Sequence, residues 1–143
     1  MWLYNGIVFT PEDATGYYGF VYVIRNNITG RSYIGRKYFS KAATKTVKGK
    51  RKKIRKSSDW ENYWSSSEEV KKEVEKYGKE NFTRTILHLC KTRASCSYME
   101  THEIFKNHAL LSDNFINAWV SCRIHKSHVK EVICPKSLQT PNM

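Results

Sequence analysis

The stretch that decides the fold runs from Phe20 to Gly35 and reads FVYVIRNNITGRSYIG. Residues 20–24 form a dense run of β-branched and aromatic residues, which is typical of a strand. The cluster at 26–30 is rich in turn-forming Asn and Gly, and a second short extended segment follows at 32–35. This stretch therefore predicts a β-hairpin.

Four segments beyond the hairpin carry weaker patterns. Residues 67–77 predict an amphipathic helix, because apolar side chains recur on one face and Gly78 follows the last of them. Residues 82–89 predict a third strand, and residues 114–124 are interpreted as a final extended segment or a short helix end. Together these segments predict a mixed α/β fold, a small, mainly antiparallel three-stranded sheet flanked by helices.

A second helix is predicted from a cap at Ser95 or Ser97 to about residue 109. Its apolar stripe is expected to pack in the core, and the stripe consists of Tyr98, His102, Phe105 and Ala109. Glu100 lies opposite that stripe, so the pattern alone predicts an ordinary exposed acid at this position.

The positive charge of the chain is concentrated in one segment. The net charge is +12, and residues 14–58 hold thirteen Lys or Arg residues and no Asp or Glu, so the remainder carries a net charge of about −1. Residues 41–58 are interpreted as a flexible or hairpin-like basic insertion after the hairpin. Double-stranded DNA is the predicted partner, ahead of a solvated loop or an anionic lipid surface. The expected DNA-binding residues are Lys45, Lys48, Lys50, Arg51, Lys52, Lys53, Arg55 and Lys56.

Length and composition predict one domain at residues 1–124 and a C-terminal tail at 125–143. No apolar run reaches the ~18–20 residues of a membrane span, and the N-terminal stretch lacks the features of a secretory signal. We therefore expect a cytoplasmic protein without a membrane partner or an organic cofactor. The cysteines are expected to be reduced, and a zinc site is disfavoured because its spacing fits no standard finger; that set is Cys122, His125, His128 and Cys134.

Two tripeptides in the predicted hairpin carry a resemblance to a known family. Phe20-Val21-Tyr22 and Tyr33-Ile34-Gly35 resemble the paired motif that gives GIY-YIG nucleases their name. The stretch at 76–82, followed by Ile86 and Leu87, resembles the helix-to-strand passage of phage-encoded and intron-encoded members. The resemblance covers about residues 17–120 and implies the GIY-YIG nuclease fold, in a phage-encoded or homing-type DNA endonuclease.

The resemblance also implies roles for individual residues. Glu100 matches the family's metal-binding glutamate, which implies Mg²⁺ or Mn²⁺ as the cofactor. Tyr22 is the implied general base and Tyr33 is expected to help orient the attacking water, while Asn117 falls where the family has a supporting asparagine. Arg36 and Lys37 directly follow the second motif, where they are expected to hold the scissile phosphate and favour a phenolate.

The chain departs from the family pattern in two ways. Its first motif begins with Phe20 instead of glycine, and the basic insertion occupies the region where the family usually has a helical Arg and often a His. The phosphate-clamp role is therefore open among Arg36, Lys37, Lys45, Lys48 and Arg51.

Two other classes of function remain open. One is a catalytically inactive protein that binds nucleic acid, and the other is a protein that interacts with a host factor through the basic insertion. For a nuclease, a single domain implies loose site preference or a homodimer, since cutting both strands at once requires two active sites.

Overall fold

The computed structural model describes residues 1–133. Within them the chain forms seven strands and two α-helices. Their bounds, in chain order, are β1 (Trp2–Tyr4), β2 (Ile7–Val8), β3 (Gly19–Asn26), β4 (Ser32–Tyr38), β5 (Ser40–Val47), β6 (Lys50–Ser57), α1 (Glu68–Tyr77), β7 (Phe82–Cys90) and α2 (Arg93–Lys106). Five strands make one sheet in the order β2-β1-β7-β3-β4, so β4 lies at an edge.

The predicted hairpin is confirmed as β3 and β4, which pair antiparallel with Tyr22 opposite Gly35. Asn26 closes the turn, because its side-chain oxygen accepts a hydrogen bond from the backbone N–H of Ile28 at 2.9 Å. Gly30 has a φ of 78°, a conformation that glycine adopts without steric cost. The turn chemistry seen in the sequence therefore sets the hairpin register.

The expectation of a three-stranded sheet is wrong, because β1 and β2 extend the sheet to five strands. β1 pairs parallel with β7, while β3 pairs antiparallel with both β7 and β4. Trp2 is buried, and its indole N–H donates a 2.7 Å hydrogen bond to the carbonyl of Trp60. Strands of three and two residues are too short to show an alternating pattern, and tertiary contacts hold them in place.

A packed layer covers each face of the sheet. One layer joins α1, through Val70 and Val74, to Phe20, Tyr22 and Trp60. The other layer joins α2 to the opposite face of β3 and β4, and it contains Val21, Ile34, Cys96 and Ile104. The mixed α/β architecture is therefore confirmed, with the β3–β4 hairpin between the two helices.

The first predicted helix is confirmed, with Ser67 as its N-cap and Gly78 after its last residue. The predicted cap of the second helix is wrong, since Thr92 caps α2 and accepts a hydrogen bond from the N–H of Ser95. The predicted strand at 82–89 is confirmed as β7.

The predicted core stripe of α2 is also wrong, apart from the buried Ala109, which follows the helix. Tyr98 and Phe105 are 41% and 58% exposed, whereas the Glu100 side chain is only 16% exposed. Positions 96, 100 and 104 lie one turn apart on the helix, and this is the face that meets the sheet. The helical spacing of exposed aromatic side chains on the outer face of α2 explains why the sequence predicted a core stripe there.

The basic insertion forms a separate two-stranded sheet of β5 and β6, so the hairpin alternative is the one observed. Lys48 and Gly49 form its turn with φ values of 52° and 75°, typical of a tight two-residue hairpin turn. Residues 114–124 form neither a strand nor a helix, and Phe115 makes a single bridge to Ser32.

The C-terminal part is described only as far as residue 133. A single 3₁₀ turn spans Lys126–Val129, and Glu131 accepts a 2.9 Å hydrogen bond from the Thr92 hydroxyl. The rest of the predicted tail, including Cys134 of the disfavoured zinc interpretation, lies outside the described residues. Neither helix described in residues 1–133 has the length and apolar character of a membrane span.

Candidate active site

A polar cavity of about 390 Å³ opens at the edge strand β4. Because β4 has no further neighbour in the sheet, side chains from both of its faces reach the same cavity. The tyrosines of the two motifs come from one side, and an arginine and a glutamate come from the other. The lining residues are Tyr22, Tyr33, Gly35, Arg36, Ser66, Glu100, Trp119 and Ser121.

The Tyr22 ring packs against the backbone of Gly35. Tyr22 is 1% exposed, and its ring centroid lies 6.5 Å from that of Tyr33. A Cβ atom added at Gly35 would lie 2.4 Å from the Tyr22 hydroxyl oxygen, a distance that forces the ring to move. The glycine of the second motif is therefore required by the position of the first motif's tyrosine.

Ser65 is a site residue that the sequence analysis missed. It is 2% exposed and has a φ of 85°, which a residue other than glycine rarely adopts. Its hydroxyl oxygen accepts a 3.0 Å hydrogen bond from the N–H of Ser67. Burial raises the pKa of both Tyr22 and Tyr33, and the Ser65 hydroxyl offsets part of that rise. The signal in the sequence is the run of three serines before α1, of which Ser67 caps the helix.

Burial dominates the acidity of the two phenols. It raises the pKa of Tyr22 well above its ordinary value, and Tyr63 raises that pKa further. Burial also raises the pKa of Tyr33, the charges of Glu100 and Tyr63 raise it further, and Arg36 lowers it by less than either of them raises it. The expected cationic field is thus outweighed at Tyr33, and the phenol of Tyr22 stays protonated in the protein alone.

Arg36 and Glu100 form an ion pair across the cavity. Arg36 Nη1 donates a 3.0 Å hydrogen bond to Glu100 Oε1, and Arg36 Nε donates to the Tyr38 hydroxyl at 3.2 Å. Burial raises the pKa of Glu100, while the charge of Arg36 and its hydrogen bond lower it. Within residues 1–133, Arg36 Nη2 and Glu100 Oε2 make no hydrogen bond, so each is available to a ligand.

Lys37 does not line the cavity, although it borders a neighbouring groove together with Arg36. Consecutive residues of a strand point to opposite faces, so Lys37 lies on the other side of β4. Its Nζ is 2.8 Å from Asp59 Oδ1 and 4.0 Å from the centroid of the Tyr63 ring. Tyr63 in turn packs edge-on against Tyr22. Lys37 therefore reaches the phenols only through Tyr63, another residue that the sequence analysis missed.

Asn117 braces the edge strand and does not line the cavity, so the structure does not bring it together with the other residues predicted to be catalytic. Its side-chain oxygen accepts from the N–H of Ile34 at 2.9 Å, and its amide N–H donates to the carbonyl of Ile34 at 2.8 Å. These two bonds satisfy the backbone N–H and carbonyl of Ile34, which a neighbouring strand would otherwise pair at this edge of the sheet. Asn117 thus fixes the backbone of Ile34, which lies between Tyr33 and Arg36 on β4.

The five candidates for the phosphate clamp differ in where they lie relative to the cavity. Of the five candidates, Arg36 lines the cavity, whereas Lys45, Lys48 and Arg51 lie on the β5–β6 hairpin and turn. A second groove of about 380 Å³ adjoins the cavity and shares Arg36 with it. This groove is basic, since its lining includes Arg36, Lys37, Lys41, Arg55 and Arg93.

The donor set fits a hydrated hard cation. Glu100 is the one carboxylate that lines the cavity, and residues 1–133 contain no cluster of three or more potential metal ligands. Mg²⁺ commonly binds through one or two carboxylates, substrate phosphate and several waters. A polar cavity with one free carboxylate oxygen matches that preference. Within residues 1–133, the cavity does not offer enough protein ligands for a cation that is coordinated by side chains alone.

These features define the class of protein as a GIY-YIG-type α/β domain. A family model described as "Putative endonuclease segE, GIY-YIG domain" matches residues 2–120, which is most of the chain. The chain therefore belongs to the SegE family of GIY-YIG endonuclease domains, and the resemblance seen in the sequence is confirmed. Comparison with curated proteins and with solved structures gave no match.

Proposed function

We propose that this protein is a DNA endonuclease that hydrolyses phosphodiester bonds with Mg²⁺ or Mn²⁺, in a phage-encoded or homing-type setting within the cytoplasm. One observation carries the proposal: Tyr22, Tyr33, Arg36 and Glu100 line one cavity although they come from two faces of the sheet. Hydrolysis of a phosphodiester needs an activated water and neutralisation of the phosphate charge, and this set offers groups for both.

Arg36 is the proposed phosphate clamp. Its hydrogen bonds to Glu100 and Tyr38 fix the plane of the guanidinium, and Nη2 remains for a non-bridging phosphate oxygen. Glu100 Oε2 is the proposed ligand of the cation. A divalent cation bound there would add positive charge at the phosphate and lower the pKa of a bound water.

Tyr22 is the proposed general base, with Tyr33 orienting the attacking water. Because burial keeps the Tyr22 phenol protonated in the free protein, the phenolate must form only when substrate and cation are bound. The hydroxyl of Ser65 would then donate a hydrogen bond to the phenolate. In the reaction, Tyr22 Oη takes the proton of the water that attacks phosphorus, the ester bond between phosphorus and the leaving sugar oxygen breaks, and that oxygen takes a proton from solvent.

The β5–β6 hairpin is the proposed grip on the DNA backbone. It carries the eight basic residues expected from the sequence, and every residue of β6 is exposed. Phosphate neutralisation would release counterions, so affinity should fall steeply with salt. A homodimer, or two successive nicks, would be needed to cut both strands.

The experiment that tests this proposal compares wild-type protein and Glu100→Ala on supercoiled plasmid, with and without Mg²⁺. We expect nicking by the wild type only when Mg²⁺ is present, and no nicking by the variant although it still binds the plasmid. Wild-type binding without any cleavage in Mg²⁺ or Mn²⁺ would instead establish an inactive nucleic-acid-binding protein. Absence of binding in moderate salt would point to a protein partner.

A further inference from the structure

The two faces of the β5–β6 hairpin differ in chemistry. Residues paired across an antiparallel hairpin share a face, and successive pairs alternate between faces. The lysine face consists of the pairs Lys41/Lys56, Ala43/Ile54, Lys45/Lys52 and Val47/Lys50. The arginine–threonine face consists of the pairs Ser40/Ser57, Ala42/Arg55, Thr44/Lys53 and Thr46/Arg51.

The outer part of the arginine–threonine face has no partner within the described chain. Thr44, Thr46, Arg51 and Lys53 are exposed, and their side chains make no hydrogen bond or ion pair within residues 1–133. No acidic residue occurs between positions 14 and 58, so the charge of this face is not neutralised locally. Such a surface fits a polyanion that also offers hydrogen-bond acceptors.

Arg55 orients this face at the root of the hairpin. Its Nη2 donates to the carbonyl and hydroxyl of Ser40 at 2.9 and 3.0 Å, and its guanidinium lies 5.4 Å from the centroid of the Tyr18 ring. Arg55 also lines the basic groove that shares Arg36 with the candidate active site. The arginine–threonine face therefore starts at the groove beside the reaction centre.

The shape of the hairpin fits one groove of duplex DNA. A two-stranded ribbon enters the major groove, which is about 12 Å wide, whereas the minor groove is about 6 Å wide. Strands of eight residues extend about 24 Å at roughly 3.4 Å per residue. Because base pairs also rise by about 3.4 Å, the tip reaches about seven base pairs from the root.

We propose that the arginine–threonine face lies on the base edges of the major groove and reads sequence to one side of the cleavage site. In this arrangement Arg51 recognises guanine through a bidentate pair, the methyl groups of Thr44 and Thr46 contact thymine methyls, and the lysine face reaches the flanking phosphates. The inference rests on the proposed function only for the position of the cut, since reading bases does not require cleavage.

The test is selection of bound duplexes from a randomised pool by the full chain in EDTA, where cleavage does not interfere. Arg51→Lys keeps the charge but loses the planar fork, and Lys52→Gln is the matched control on the lysine face. We expect Arg51→Lys to lose about tenfold preference at one base position with an unchanged salt dependence. Lys52→Gln should weaken binding to all sequences alike and lower the salt slope by about one.

Three results would overturn the inference: a wild-type pool without base preference, a preference unchanged in Arg51→Lys, or a preference altered by Lys52→Gln instead. Incubating the selected duplexes with Mg²⁺ separates this inference from the nuclease proposal. Selection without cutting contradicts only the nuclease, and cutting without selection contradicts only base reading. If both hold, the cut should fall within about seven base pairs of the position that depends on Arg51.

Discussion

Arg36 and Glu100 join the edge strand β4 to helix α2 by a 3.0 Å hydrogen bond at the mouth of the candidate active site. Both side chains remain partly accessible, 31% and 16% exposed. The pair places a cationic and an anionic group in the cavity that Tyr22 and Tyr33 also line. Each of these charges therefore opposes the effect of burial on the pKa of the other.

Replacing Arg36 should make Glu100 a weaker acid. Burial raises the pKa of Glu100, and Arg36 lowers it, so Arg36→Gln removes the lowering contribution and leaves the raising one. The carboxyl of Glu100 should then ionise at a higher pH than in the wild type, measured by NMR titration of its carboxyl carbon without metal. Arg31→Gln, which breaks an ion pair with Glu69, should leave the midpoint unchanged. An unchanged or lower midpoint in Arg36→Gln would contradict the ion pair.

Adding a methyl group at Gly35 should displace Tyr22. The new Cβ would lie 2.4 Å from the Tyr22 hydroxyl oxygen and 2.6 Å from Cζ, so Gly35→Ala should cost about 1–3 kcal/mol of unfolding free energy and abolish cleavage. In a Tyr22→Ala background the same substitution should cost much less, because the obstructing ring is gone. Equal costs in urea denaturation of the two backgrounds would show that the clash is elsewhere.

Two substitutions of Ser65 separate its backbone strain from its hydroxyl. Ser65→Gly and Ser65→Ala both lack the hydroxyl, but only glycine adopts a φ of 85° at low cost. The glycine variant should be about 1 kcal/mol more stable than the alanine variant in thermal unfolding. Both should cleave slowly and require a higher pH than the wild type, because hydrogen bonding to Ser65 lowers the pKa of both phenols. If both variants cleave with the same pH dependence as the wild type, Ser65 has no role in the candidate site.

Truncating Asn117 should loosen the edge strand. Asn117→Ala leaves the buried N–H and the carbonyl of Ile34 without their partners, which should cost about 2–3 kcal/mol. Asn107→Ala is a suitable control, since the exposed Asn107 amide donates to the Glu103 carbonyl and carboxylate near the end of α2. We expect the control to lose less than about 1 kcal/mol in chemical denaturation. Similar losses in the two variants would argue against a special role for the bracing bonds.

The elements that could be predicted from the sequence are those whose turn residues, caps and periodicity lie within the element itself. The β3–β4 hairpin, helix α1 and strand β7 carry their own turn residues, caps and periodicity, and the structure has all three. The β1 and β2 strands were not predictable, because Trp2 is held by its contact with Trp60, 58 residues away in the chain. Long-range contacts of this kind leave no periodic signal.

The candidate site also contains residues that the sequence predicted and residues that it did not. Tyr22, Tyr33 and Glu100 were found through motif resemblance, whereas the helix pattern by itself placed Glu100 on an exposed face. Ser65 was missed because its buried position depends on a φ of 85°, which no pattern in the sequence indicates. Lys37 follows Arg36 in the sequence but lies outside the cavity, because consecutive side chains of a strand point to opposite faces.

If Tyr22 and Glu100 act as one catalytic unit, their substitutions should affect the rate of single-turnover DNA cleavage in Mg²⁺ together and not independently. The measurement compares wild type, Tyr22→Phe, Glu100→Gln and the double variant, with Glu75→Gln as an exposed control on α1. We predict that each single substitution slows cleavage at least about a hundredfold, and that the double variant is no slower than the slower single variant. A wild type that does not cleave, or rate losses that multiply in the double variant, would contradict a joint catalytic role of Tyr22 and Glu100.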